Sequence, residues 1–420
     1  MSPCSSFLLK SCLSTRQSFF PTPRHNSCIS CRRTKSARPV AVHPSAAAWL
    51  GKRWTEYQGA SNWDGLLDPL NPTLCSEILR YGDFVQAAYC CCDLDPCSPS
   101  LLRLSGLPCS GYRVTRCLQA TSGTRLPCWA AAAVPSSLSR QSSWIGFVAV
   151  CEDDSEIARL GRRDVVISLR GTVTFLEWLD NLRATLTSAQ AAPFRPTPVH
   201  RSKPMVECGF WSLFTSPAPA VCLPSLRDQI RDEVRRLVHH YAGNRGPDIS
   251  ITITGHSLGA ALAVLAADDI TAILGCGALR VTVVSFGGPR VGNAGFRRRI
   301  EEQGIKVLRI VNTSDIITKV PGFVVGDQEE DGLCPNWLLS KTGWVYADIG
   351  HELRVRSRRT ANVAACHDLR HYLQLVNQLG DESSPESDEE QGPASGWRWQ
   401  AVMAGATFEY NVSNSFPHYD

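Results

Sequence analysis

Nowhere in its 420 residues does the chain hold the roughly 18–20 consecutive apolar residues that a membrane-spanning helix requires, so any bilayer it meets is met at the surface. Acidic residues are missing altogether from residues 1–48, which carry seven basic ones (Lys10, Arg16, Arg24, Arg32, Arg33, Lys35 and Arg38) among many serines. That is the composition of an organelle transit peptide. The apolar stretch Phe7-Leu8-Leu9 is too short for the core of a secretory signal; a basic tail without a targeting role is the alternative. Long basic runs are lacking as well. The net charge of +4 belongs to the leader, because without its seven positives the balance is 36 basic to 39 acidic, or −3. Short clusters such as Arg297-Arg298-Arg299 read as a solvated helix face, and nothing points to nucleic acid as a partner. Eighteen cysteines are too few and too scattered for a disulfide scaffold. Cys28-x-x-Cys31 lies in the leader, and Cys90, Cys91, Cys92 and Cys97 have no second ligand cluster at zinc-finger spacing, so neither metal nor cofactor is expected and most thiols are taken as buried.

What is present concentrates at one place. Ile249 to Thr254 alternates apolar and polar residues as a β-strand does, and the Ala/Leu/Val run after Leu258 has no Gly or Pro until Gly275. Between them stands Gly255-His256-Ser257-Leu258-Gly259. A bare G-x-S-x-G arises by chance roughly 0.1–0.2 times in a chain of this length, so the pentapeptide alone says little. Strand, sharp turn and helix around it are the context of a nucleophile elbow, where glycines let the backbone pack around a strained serine at a helix N-terminus. An ordinary strand-to-helix turn is the bland alternative.

A serine nucleophile needs a base, and the base needs a carboxylate to orient it. Val307 to Asn312 predicts a strand, and Asp315 lies just past its C-terminal end, the edge where α/β sites form. Asp268 and Asp269 sit on the elbow helix and face away from that edge; Asp327, Glu329, Glu330 and Asp331 lie in a polar loop. Three histidines follow before the acidic tail: His351, His367 and His371. His367 opens the pattern Leu369, Tyr372, Leu373, Val376, Leu379, spaced as one helix face, and any of the three is otherwise a surface or core histidine. For the oxyanion, one donor is expected from the Leu258 N–H directly after the serine. The strand from Asp164 breaks at Arg170-Gly171-Thr172 and offers Thr172 as a second donor, although a plain Gly turn also fits. Phe175 to Leu182 has apolar residues at near-helical spacing, as in a lid or in a core helix.

These residues carry a resemblance. Trp54 to Gly59, Asn62 to Leu70, Arg80 to Tyr89, Gly161 to Asp164, Leu169 to Thr172, Val206 to Phe210, the elbow, Phe286 to Asn293, Val311 to Asp315 and His367 to Leu369 together resemble the plant class 3 (fungal-lipase-like) lipases, in particular their chloroplast phospholipase A1 group. The likeness runs from about Trp49 to Leu379. It departs from the family at Arg370, where an acid is usual, and at Cys90-Cys91-Cys92. The resemblance implies an α/β-hydrolase fold of class 3 lipase type, with a mostly parallel central sheet and flanking helices. It implies a triad of Ser257, Asp315 and His367 and an oxyanion hole of Thr172 and Leu258. The activity it implies is phospholipase A1-type hydrolysis of membrane glycerolipids at the sn-1 position, extending to galactolipids and triacylglycerols, at the surface of a plastid membrane. The expected organisation is a transit peptide over residues 1–48, a lipase domain over 49–380 and an acidic, unstructured tail over 381–420. A lipase-like signalling scaffold with little catalysis is the alternative in another class.

Overall fold

The structure, a computed structural model, describes residues 49–90, 111–121, 142–171, 185–189, 203–218, 222–241, 247–277, 279–321, 323–324, 345–357 and 363–382. Seven strands form the main sheet in chain order: β1 (Tyr112–Thr121), β2 (Ser142–Cys151), β3 (Arg163–Leu169), β4 (Ile249–His256), β5 (Arg280–Phe286), β6 (Lys306–Asn312) and β7 (His351–Val355). The first two pairings are antiparallel and the remaining four parallel, the mostly parallel sheet expected of an α/β-hydrolase.

The helices that flank this sheet include α1 (Pro72–Cys90), α2 (Asp154–Leu160), α3 (Cys208–Thr215), α4 (Leu226–Tyr241), α5 (Leu258–Leu274), α6 (Ala294–Glu302) and α7 (Leu369–Glu382). On one face, Ile251, Ile253, Val281 and Val283 share a core with Ile230 and Val234 of α4, Leu262 of α5 and Phe296 of α6. On the other, Val166, Val284, Leu308 and Ile310 pack with Ile78 and Phe84 of α1 and Tyr372 and Val376 of α7. Helices on both faces are what a parallel sheet demands.

The alternation in β4 therefore does not mark a wet face: every residue of the strand is buried. Its polar side chains are satisfied inside, Thr252 Oγ1 donating to Asp164 Oδ1 at 3.2 Å and Thr254 Oγ1 to the Tyr81 carbonyl at 3.4 Å. Asp164 and Arg162 are fully buried there. Tyr112 donates to Asp164 Oδ2 at 2.8 Å, and Arg162 Nη2 donates to the Tyr81 hydroxyl at 2.9 Å. Burial alone would raise the Asp164 pKa; Arg162 and Arg80 outweigh it and hold the carboxyl below its ordinary range. This network ties α1 to the sheet. Helix starts follow local chemistry: Asn71 Oδ1 accepts the Thr73 and Leu74 N–H groups at 3.0 and 3.2 Å with Pro72 at the first helical position, and Asp153 caps α2.

Three expectations change. Arg299 is not on a solvated face: its Nε donates to buried Asp268 Oδ1 at 2.7 Å, and the guanidinium reaches the Ala189 carbonyl at 3.2 Å. Helix α7 runs through Asp381 and Glu382, so these two residues are not part of an unstructured tail. Among the described cysteines Cys75, Cys151 and Cys366 are buried, whereas Cys90, Cys222 and Cys276 are exposed and Cys117 and Cys208 half-buried. The leader, the suggested lid (Phe175 to Leu182), the acids of the 327–331 loop and the chain after Glu382 lie outside the described residues.

Candidate active site

The parallel strands deliver their C-terminal ends to one edge. Leu169 pairs with Gly255 and His256 with Phe286, so Gly171 and Ser257 emerge side by side. Ser257 sits at φ 58° and ψ −125°, a left-handed position that β-carbon-bearing residues rarely adopt. The glycines around it are required by contact. A Cβ on Gly255 would fall 2.4 Å from the Gly259 carbonyl oxygen, and one on Gly259 would fall 2.3 Å from the Leu169 oxygen. The elbow helix thus presses directly on β3. The Ser257 N–H is anchored to the Phe286 carbonyl at 3.0 Å.

Asp315 follows β6 by three residues and is fully buried. Its Oδ1 accepts the Ile317 N–H at 2.9 Å. His367 occupies the turn between a short helix, Val363–Cys366, and α7. Its Nδ1 lies 2.7 Å from Asp315 Oδ2, and its Nε2 lies 2.8 Å from Ser257 Oγ. A carboxylate only accepts, so Nδ1 carries the proton and Nε2 is free to receive the serine hydroxyl. The structure therefore brings together Ser257, Asp315 and His367. It leaves the rivals elsewhere. Asp268 pairs with Arg299 and Asp269 with Arg227 and Arg231, as structural clamps on the buried face of α5. His351 opens β7 beside Trp63, and the His371 backbone N–H is bonded to Asp368. Leu258 is the first residue of α5, where an N–H has no intrahelical acceptor. Thr172 lies outside the described residues.

Four residues that sequence reasoning did not single out complete the surroundings. The Tyr372 hydroxyl donates to Asp315 Oδ2 at 2.7 Å and accepts the Asn312 N–H at 3.2 Å. Burial and the Asp315 charge push the Tyr372 pKa well up, which keeps it a donor. Asn312 Nδ2 donates to the Cys366 carbonyl at 3.0 Å and holds the turn that presents His367. His256 places Nε2 2.8 Å from the His367 carbonyl oxygen and Nδ1 2.8 Å from the Tyr89 hydroxyl. The period of α7 could have flagged Tyr372, since it shares a face with the start of the helix. The elbow motif itself contains His256. Tyr89 had no signal, being 167 residues away from its partner. Among the described residues no group of three or more His, Cys, Asp or Glu is placed to hold a metal ion.

A serine on a strand-turn-helix elbow, hydrogen-bonded to a histidine that is itself bonded to a buried carboxylate, is the constellation of an α/β-hydrolase. Residues 166–325 match the family model of lipase (class 3). The chain is 53% identical over 364 residues to the chloroplastic phospholipase A(1) DAD1 of Arabidopsis thaliana, covering 80% of this chain and 78% of that one. It is 41% identical to the chloroplastic/mitochondrial phospholipase A1 EG1 of Oryza sativa subsp. indica, over 81% of this chain and 78% of that one. With the chloroplastic galactolipase DONGLE of Arabidopsis thaliana it shares 40% identity, over 80% and 72%. The chain belongs to the class 3 lipase family and is a carboxylic ester hydrolase.

Proposed function

We propose that the protein is a phospholipase A1-type acylhydrolase of plastid membrane glycerolipids, working through Ser257, His367 and Asp315. The observation that carries this reading is the unbroken run from Ser257 Oγ to His367 Nε2 at 2.8 Å and from His367 Nδ1 to Asp315 Oδ2 at 2.7 Å. Ser257 Oγ attacks the ester carbonyl as its proton passes to His367 Nε2. The Oγ–C bond forms, and the carbonyl pair moves to oxygen, where the N–H groups of Leu258 and Thr172 receive it. The imidazolium returns its proton to the leaving lysolipid oxygen, and water releases the fatty acid by the same steps. Asp315 holds the tautomer and steadies the imidazolium, with Tyr372 and the Ile317 N–H fixing the carboxylate.

Contact with the lipid is peripheral in this reading. Among the described residues no helix is long and apolar enough to cross a membrane, and Ile316, next to buried Asp315, is 44% exposed. Residues 1–48 act as the plastid leader, residues 49–380 as the lipase domain and the acidic tail as an appendage. The working location is the stroma or the thylakoid surface.

The test uses purified protein with phosphatidylcholine and monogalactosyldiacylglycerol labelled separately at sn-1 and sn-2. Release of the sn-1 acyl chain should dominate on both lipids. Ser257→Ala should lower kcat on the order of 10⁶-fold, and His367→Ala comparably, with the fold intact by circular dichroism. A Ser257→Ala variant keeping a tenth of the activity, or equal release from both positions, overturns the corresponding part of the reading.

A further inference from the structure

Three segments far apart in the chain meet at one tyrosine hydroxyl. Tyr89, near the end of α1, accepts the Gly171 N–H at 2.9 Å, and the same oxygen lies 2.8 Å from His256 Nδ1. On the far side of that ring Nε2 faces the His367 carbonyl oxygen at 2.8 Å. A carbonyl only accepts, so Nε2 carries a proton. Burial, with the nearby His367, pulls the His256 pKa down to about 3, so the ring is neutral and Nδ1 is bare. Tyr89 O–H must then donate to Nδ1. The bonds run in one direction: Gly171 N–H to Tyr89, Tyr89 to His256, His256 to the main chain of His367. The two imidazoles lie close together in a tilted arrangement, with centroids 4.8 Å apart and planes inclined by 36°.

We infer that Tyr89 is a positioning residue for acyl transfer, its hydroxyl fixing the strand end that leads into Thr172 against the elbow and, through His256, against the backbone of the base. The inference rests on the proposed roles of Ser257, His367 and the oxyanion donors. The spacing it maintains is tight. A Cβ on Gly171 would lie 2.6 Å from Tyr89 Oη, 3.0 Å from Ser257 Cβ and 3.1 Å from the His256 carbonyl oxygen. Because its N–H is bonded to Tyr89, Gly171 is a strut for the oxyanion loop rather than one of its donors. Donors aimed at a developing charge lose much of their effect when displaced, and an error near 1 Å costs roughly 10²-fold.

The experiment compares wild type with Tyr89→Phe on a soluble short-chain ester and with a trifluoromethyl ketone carrying the same acyl chain. Ser257 Oγ adds to the ketone carbon, the carbonyl pair becomes an oxyanion in the hole, and the serine proton goes to His367. Tyr89→Phe should lower kcat by 10- to 100-fold, leave KM within twofold and raise the ketone's Ki by the same factor as kcat/KM falls. His256→Gln, which interrupts the run one bond further on, should show the same split. Tyr89→Ala gauges the ring itself and should add little to the loss seen with Phe. If Tyr89→Phe keeps kcat and Ki within twofold while Tyr89→Ala loses both, the ring merely packs and the inference falls. A change confined to KM overturns it equally. Failure of the triad reading would show separately, as activity retained by Ser257→Ala.

Discussion

At the scale of single residues, His256 shows how a site adjacent to a nucleophile is kept from titrating. It is 6% exposed, and burial together with the neighbouring His367 lowers its pKa from 6.5 to about 3, against the smaller opposing effect of the bond to the His367 carbonyl. Between those values the unfolded chain binds a proton that the folded chain refuses. The stability contributed by neutral burial is thus present above about pH 6.5 and lost as pH falls below it, by about 1.4 kcal/mol per pH unit. Lowering the pH from 7 to 5 should cost the wild type roughly 2 kcal/mol more than His256→Gln, read from urea unfolding at each pH. Parallel losses in both proteins would show that His256 is not held neutral. Partners likewise separate the acids. Asp268, Asp269 and Asp315 are all almost fully buried, yet only Asp315 meets a histidine; the other two meet arginines of neighbouring helices.

Among elements, the elbow is decided by how closely α5 approaches β3. Any side chain on Gly259 would have to displace the Leu169 and Arg170 carbonyl oxygens, 2.3 and 2.7 Å from the Cβ position, and backbone yields far less readily than a side chain. Gly259→Ala should therefore cost at or above the upper end of the roughly 1–3 kcal/mol typical of overpacking, and hydrolysis should fall with it. Gly304→Ala is the comparison: φ is +72° there, but nothing lies within 4 Å, so only the left-handed strain of about 1–2 kcal/mol applies. Denaturation midpoints of the two variants decide the matter; equal shifts would mean that the elbow has slack. The buried cluster of Arg80, Arg162 and Asp164 belongs to this scale too. It docks α1, and α1 in turn carries Tyr89 to the site.

For the whole molecule, the charge asymmetry along the chain matters more than its total. The leader is wholly basic in its charged residues, and the remainder is slightly acidic. A fusion of residues 1–55 to a fluorescent protein should accumulate in plastids of leaf cells, as microscopy against chlorophyll fluorescence would show. Cytosolic or secreted fluorescence would remove plastid lipids from the substrate assignment. The architecture gathers what the chain separates: Tyr89 comes from the last turn of α1, Gly171, Ser257, Asp315 and His367 come from four connections, and all meet at the edge where parallel strands end.

Local chemistry determined much of this in the sequence itself. The strand-glycine-serine-glycine-helix order at Gly255 to Gly259, the carboxylate just beyond the strand ending at Asn312 and the histidine before the Leu369 helix are short-range patterns. Hydrophobic period and backbone sterics suffice to read them. Spacing favours His367 over His351 and His371 without excluding them, because a helical period places a residue on a face without saying what that face meets. The polar alternation of β4 marks a strand without saying what covers its polar face, since that cover comes from α1, more than 150 residues earlier. The pairing of Arg299 with Asp268, the bond from Tyr372 to Asp315 and the run through Tyr89 and His256 each depend on distances of 2.7 to 2.9 Å between remote segments. Only the tertiary structure decided those, because a hydrogen bond is settled within a few tenths of an ångström and chain spacing carries no such information.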